Sequence, residues 1–178
     1  MKSFLSAKKI ALCAIMTATL EIGKLSLSFI ANVEVVSLLT AVYAYVFGVL
    51  TLISVLAFIL IEMAIWGVNT WVLSYFVFFG SIAIVFYFLG KKKIDKLWMI
   101  LLFISILTAS FGFVSSFFDV AIGGFNNFLN RYFIYYFRGI VFYAVHVVSN
   151  FIIFLLTFKS VKKLLENIKL KFFVENHL

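Results

Sequence analysis

The polar residues best placed to bind a ligand lie in an apolar stretch near the carboxyl end of the chain. Its small and polar members recur at helical spacing and fall within roughly a 60° arc of one helix face: Gly139, Tyr143, His146, Asn150 and Thr157. A histidine and an asparagine one turn apart in so apolar a segment need polar partners or water. They predict either the wall of a ligand cavity or an interhelical hydrogen bond that only packs helices.

Further candidates lie near the ends of other apolar runs. Glu62, Trp66 and Asn69 are spaced at i, i+4 and i+7. The carboxylate of Glu62 could pair with Arg138 or contact a polar or cationic ligand group. Trp66 and Trp71 either stack on a planar ring or anchor the chain at a membrane interface.

Catalytic constellations are missing from the sequence. His146 is the one histidine within an apolar run, so there is no HExxH or other two-histidine metal motif. Cys13 is expected to lie far from it, and no glycine-rich phosphate loop is present. We therefore expect no enzymatic activity, no cofactor and no metal site. The enzymatic alternative would use His146 with Asp119 or Glu62.

Composition indicates the environment in which these residues act. The chain has 178 residues, is 65% hydrophobic and 12% charged, and has a mean hydropathy of +1.18. So few charges cannot coat a soluble surface, and an integral membrane protein is predicted. The net charge of +8 comes from lysine clusters beside apolar runs, which favours membrane topology over binding to nucleic acid.

Six apolar segments are predicted to cross the bilayer as helices, at about 8–24, 33–47, 49–66, 70–89, 97–118 and 138–158. The run from Val35 to Trp66 is divided at Phe47-Gly48, because two helices there place all lysine clusters on one side. We expect one all-α domain, a six-transmembrane-helix bundle with both termini cytoplasmic. A basic tail, 159–178, would follow as an amphipathic surface helix.

The first predicted helix carries a strip of small residues. Its alanines fall within roughly a 60° arc of one face: Ala7, Ala11, Ala14 and Ala18. Small side chains let a second backbone approach closely, which is how helices associate in lipid. The strip therefore predicts a docking surface, and its outer end carries Glu21.

The whole chain resembles the substrate-binding S component of an energy-coupling factor (ECF) transporter, a class of bacterial vitamin importer. The resemblance rests on length, on the six-helix topology and on the AxxxA motifs of the first helix, Ala7–Ala11 and Ala14–Ala18. The stretch from Asn32 to Gly48 is also similar to the first loop and second helix of S components whose substrate is unassigned.

The resemblance implies a function and a set of partners. An S component binds a vitamin-like small molecule at the outer face of the bacterial cytoplasmic membrane and docks through its first helix on a T component joined to two ATPase subunits. The implied binding residues agree with the polar set at the outer side: Asn32, Glu34, Glu62, Trp66, Asn69, Trp71, Asp119, Arg138, Tyr143, His146 and Asn150. The alternative is a self-sufficient, proton-coupled secondary transporter that uses Glu21 or Glu62.

Overall fold

The computed structural model describes residues 6–173. Its elements are six α-helices: α1 (Ala7–Ser26), α2 (Val36–Phe47), α3 (Leu50–Trp66), α4 (Thr70–Lys91), α5 (Leu97–Ile122) and α6 (Phe128–Phe173). No strand occurs within these residues. The predicted all-α class and the number of helices are confirmed. Lys2 and the end of the predicted tail, 174–178, lie outside the described residues.

Three helices, α4, α5 and α6, are long and apolar enough to cross a membrane. This indicates a membrane protein, as the composition predicts. Two further apolar helices, α2 and α3, are shorter. At 1.5 Å per residue, the 12 residues of α2 span only about 18 Å, less than the roughly 30 Å of a bilayer core.

Successive helices run in opposite directions, so the bundle has two distinct ends. Lys169 Nζ donates to the carbonyl of Val46 at the end of α2, and Lys162 pairs with Asp95 in the α4–α5 loop. We call this the basic end. At the other end, loop 27–35 meets α6 through Ser149 Oγ, which donates to the carbonyl of Asn32. We call this the cavity end.

The second helix is the centre of the bundle. It contacts α1, α3, α4 and α6, and most of its side chains are buried. Gly90 of α4 lies against the Tyr45 backbone so closely that any side chain there would overlap it. The predicted break after Phe47 is confirmed: Gly48 has φ +69°, a left-handed conformation that glycine adopts without strain.

The first helix packs only on α2 and α3 among the described elements. Its contact with α3 is partly polar: Thr17 Oγ1 donates to the Ser54 carbonyl, and Ser54 Oγ donates to the Cys13 carbonyl. These bonds turn Leu12, Met16 and the rest of the buried face inward. The alanine strip consequently faces outward, and Ala7, Ala11, Ala14 and Ala18 are all exposed.

The last two helices extend beyond the predicted bounds. The predicted connection between them, 119–137, is largely helical, because α5 continues to Ile122 and α6 begins at Phe128. The predicted end of the sixth helix at 158 is wrong as well. With 46 residues, α6 is about 69 Å long and continues through the basic tail. No proline interrupts it, and Val161 and Leu165 pack on the core.

Candidate functional site

A cavity of about 310 Å³ opens at the cavity end between loop 27–35 and helices α1, α3, α4, α5 and α6. Its size is at the lower limit of small-molecule sites, which run from roughly 300 to 1,000 Å³. Five of the predicted binding residues line it: Asn32, Glu34, Trp66, Trp71 and His146. The loop, the α3–α4 turn and α6 thus meet at one place.

The Glu34 carboxylate is the polar centre of this site. Oε2 accepts the backbone N–H of Ser37 at 2.7 Å, in the first turn of α2, where the helix dipole favours an anion. Oε1 lies 3.3 Å from His146 Nε2 and accepts Asn150 Nδ2 at 3.1 Å. The intramembrane histidine and asparagine therefore have a partner, and that partner is a residue of the loop.

These bonds set the charge state of Glu34. Burial acts to raise its pKa, but hydrogen bonds with His146 and Ser37 outweigh burial and hold the pKa below its ordinary value. The carboxylate is therefore ionised throughout the neutral range. An ionised carboxylate can only accept hydrogen bonds, so the hydrogen bond between Glu34 and His146 requires a proton on Nε2.

Aromatic side chains form most of the cavity wall. Trp71, Tyr75, Phe78 and Phe79 share one face of α4, and Phe111 of α5 faces them. The Trp71 and Tyr75 ring centroids are 5.4 Å apart, and those of Tyr75 and Phe79 are 4.9 Å apart. Such a wall suits a ligand with a flat ring or a cationic group.

Lys24 is the one cationic side chain among the described residues that line the cavity. Its ammonium forms an ion pair with Glu62, whose side chain is 0% exposed. The same nitrogen lies 4.4 Å from the centroid of the Trp71 ring and 4.9 Å from that of Tyr75. The suggested pairing of Glu62 with Arg138 is therefore wrong, since α3 packs on α1 and not on α6.

Six predicted binding residues are not among those that line the cavity: Glu62, Asn69, Asp119, Arg138, Tyr143 and Asn150. Glu62 pairs with Lys24, and Asn150 donates to Glu34. Asn69 caps α4 instead: its Oδ1 accepts the Val72 N–H at 3.1 Å. Tyr143 fills a groove over Gly112 and Gly139. Asp119 and Arg138 lie beyond the cavity towards the α5–α6 turn, each eight residues, or about 12 Å, from Phe111 or His146 on its own helix.

Sequence reasoning missed two kinds of site residue. It gave no role in binding to Lys24, although a lysine at the end of a membrane helix, one turn after Glu21, was a visible signal. It also missed Tyr75, Phe78 and Phe79, whose positions at i+4, i+7 and i+8 from Trp71 continue one helix face. In a chain with 24 phenylalanines such a face carries little information by itself.

The site has features of binding and none of a metal centre. In the part of the chain that the structure describes, no three His, Cys, Asp or Glu side chains lie close enough to hold an ion. Polar atoms that remain open within residues 6–173 include His146 Nδ1 and Asn150 Oδ1. The arrangement can hold a small ligand between the aromatic side chains and the polar residues of the lining, Glu34 and His146.

Comparison with known proteins gives no relative for this chain. No protein-family model, no curated protein and no solved structure matches it.

Proposed function

We propose that the chain is the substrate-binding subunit of an ECF-type importer. It binds a vitamin-like small molecule at the extracytoplasmic side and docks through α1 on a T component that is joined to two ATPase subunits. The proposal needs all six helices to lie within the cytoplasmic membrane of a bacterium, with both termini inside.

One observation carries the proposal: the ligand-sized cavity and the exposed alanine strip occupy different parts of one bundle. Glu34 and His146 join loop 27–35 to α6 at the cavity end. The strip on α1 begins at Ala7, at the basic end, and its four alanines are exposed. A subunit that binds a ligand on one side and a membrane partner on another needs this separation.

Charge supports the proposed orientation. The basic end carries Lys8 and Lys9 and the lysines near 91–96 and 159–171, and such clusters favour the cytoplasm. The cavity end then faces outward, where an importer meets its substrate. With 12 residues, α2 is shorter than a bilayer core. This length is compatible with the proposed topology because neighbouring helices, rather than lipid, surround α2.

The test is co-expression of the tagged chain with the T and ATPase subunits of an ECF module, followed by affinity purification in mild detergent. We expect all three partner subunits to copurify with the chain and ATP to drive uptake in reconstituted vesicles. A chain that copurifies with no partner and takes up substrate without ATPase subunits contradicts the proposal.

Glu21 supports the alternative, a proton-coupled secondary transporter. Glu21 and Glu62 both have buried carboxylate oxygens without a hydrogen-bond partner among the described residues, but Glu62 forms an ion pair with Lys24 and Glu21 does not. A proton site would therefore be Glu21. Uptake by vesicles that contain this chain alone, driven by a proton gradient and lost in Glu21→Gln, would establish this function and exclude the first.

A further inference from the structure

The charges and rings around the cavity specify a class of ligand, and the inference drawn from them rests on the proposed binding function. Carboxylates outnumber cations at this site. Glu34 lines the cavity, and Glu62 and Glu21 interact with its Lys24. Lys24 and Glu62 neutralise each other as a pair, which leaves Glu34 without a matching lysine or arginine in the described lining.

The protein's own cation shows that this aromatic wall accommodates a positive charge. The Lys24 ammonium lies over Trp71 and Tyr75 at the distance of a cation–π contact, at the mouth of the aromatic wall. Further along this wall, Phe78 and Phe111 both pack against His146, with ring centroids 5.3 and 5.2 Å from the imidazole and 5.0 Å from each other. Aromatic rings therefore continue from the lysine to the histidine.

One buried polar atom in this wall has no partner. The His146 side chain is 5% exposed, its Nε2 bonds to Glu34, and its Nδ1 has no hydrogen-bond partner among the described residues. In the neutral imidazole with its proton on Nε2, Nδ1 carries a lone pair that accepts from a donor. An unpaired buried acceptor is costly, and a ligand N–H would satisfy it.

We propose that the cavity binds a small, flat organic cation that carries an N–H group. Its ring lies against the α4 aromatics, its N–H donates to His146 Nδ1, and its charge is balanced by Glu34. An anionic ligand would need Lys24 to leave Glu62, which would strand a fully buried carboxylate. The site therefore disfavours an anion.

Three bicyclic probes of similar size separate charge from shape: 4-aminoquinoline, a cation near neutral pH that donates N–H; 4-methylquinoline, which is neutral there; and 1-naphthoate, an anion. Isothermal titration of the detergent-purified chain gives the dissociation constants. We expect the cation to bind roughly tenfold or more tightly than the neutral probe, and the anion to bind most weakly. Equal or tighter binding of 1-naphthoate, or no binding of the cation at millimolar concentration, overturns the inference.

Two variants locate the probe. Trp71→Leu should weaken binding of 4-aminoquinoline by roughly tenfold, whereas the matched Trp98→Leu should not change it, because Trp98 is 63% exposed and outside the cavity. Glu34→Gln keeps the shape of the side chain and should reduce the preference for the cation over 4-methylquinoline. An unchanged preference in Glu34→Gln overturns the electrostatic part.

The result is separable from the proposed function. If 1-naphthoate binds best while the T component and ATPases still copurify, only the ligand class is wrong. If no partner copurifies, the importer proposal fails whichever probe binds.

Discussion

The two ends of the bundle carry their charges in opposite ways. At the cavity end, acidic groups lie inside the protein: Glu62 is fully buried and paired with Lys24, and Glu34 bonds three groups of the chain. At the basic end, Lys162 reaches Asp95 at 3.5 Å, and the Asp95 side chain is 64% exposed. Buried charges must be matched by partners, whereas exposed ones are screened by water. At the cavity end, specific partners therefore fix the positions of the polar side chains.

The largest contrast should come from breaking one ion pair at each end. Glu62→Leu leaves the Lys24 ammonium without its buried partner and should cost about 3–5 kcal/mol of stability. Asp95→Leu breaks an exposed pair and should cost at most about 1 kcal/mol. Thermal unfolding of the detergent-solubilised protein measures both.

The double variant Lys24→Met/Glu62→Leu is the control for the buried pair. It removes both charges and should recover much of the loss, because no unpaired charge remains. Similar losses for Glu62→Leu and Asp95→Leu would show that the two ends do not differ as described.

The second contrast concerns ligand binding. Glu34→Ala removes the acceptor for His146, Asn150 and the Ser37 N–H, and each lost bond to a charged group is worth about 1.5–3 kcal/mol. We expect at least roughly tenfold weaker binding of whichever small molecule copurifies with the chain. Glu166→Ala, an identical change in side chain at the basic end, should leave binding unaltered, and a comparable loss there would contradict this account.

Acid should destabilise the cavity end through protonation of Glu34. The pKa of Glu34 lies below its ordinary value of 4.5, so its stabilising effect is complete above that pH and is lost as the pH falls through the folded-state pKa. Unfolding temperatures measured from neutral pH down to strong acid should therefore decrease as the pH falls below the ordinary pKa of 4.5. The fall should be smaller in Glu34→Gln, which cannot ionise. An identical acid profile in both proteins would exclude Glu34 as its source.

The smallest effect is expected at the basic end. Lys162→Ala removes pairs with Asp95 at 3.5 Å and Glu166 at 3.7 Å, both with carboxylates that are at least 46% exposed. Its cost should be about 1 kcal/mol or less and should decrease with added salt. A loss that matches Glu62→Leu would mean that this end, too, depends on specific polar contacts.

Hydropathy and glycine placement were enough to predict the helices of this chain. The apolar runs gave all six, and Gly48 marked the break between α2 and α3 because a single glycine in a long apolar run permits a left-handed residue. The ends of α5 and α6 could not be predicted. The segment near 119–137 is rich in aromatic residues and asparagine, so its sequence favours a loop. In the structure α5 and α6 pack on each other, and most of this segment is helical.

The site was predictable where polar residues are rare. His146 and Asn150 stand out because an apolar segment contains little else, and Glu34 is conspicuous in a short loop. The ion pair of Lys24 with Glu62 was not predictable, because it depends on α1 packing beside α3, at a separation of 38 residues. Sequence spacing predicts which side chains can pair along one helix, but it does not predict which helices become neighbours.

The most direct test of the separation between cavity and docking strip is Ala14→Trp, compared with Ala109→Trp, an identical change at an exposed position of α5. Native mass spectrometry of each protein, purified after co-expression with an ECF module, reports bound small molecules and bound subunits together. We predict that Ala14→Trp keeps the small molecule seen in the unmodified protein but loses the T component and ATPases, while Ala109→Trp keeps both. Loss of the small molecule from Ala14→Trp, or retention of its partner subunits, would contradict the account.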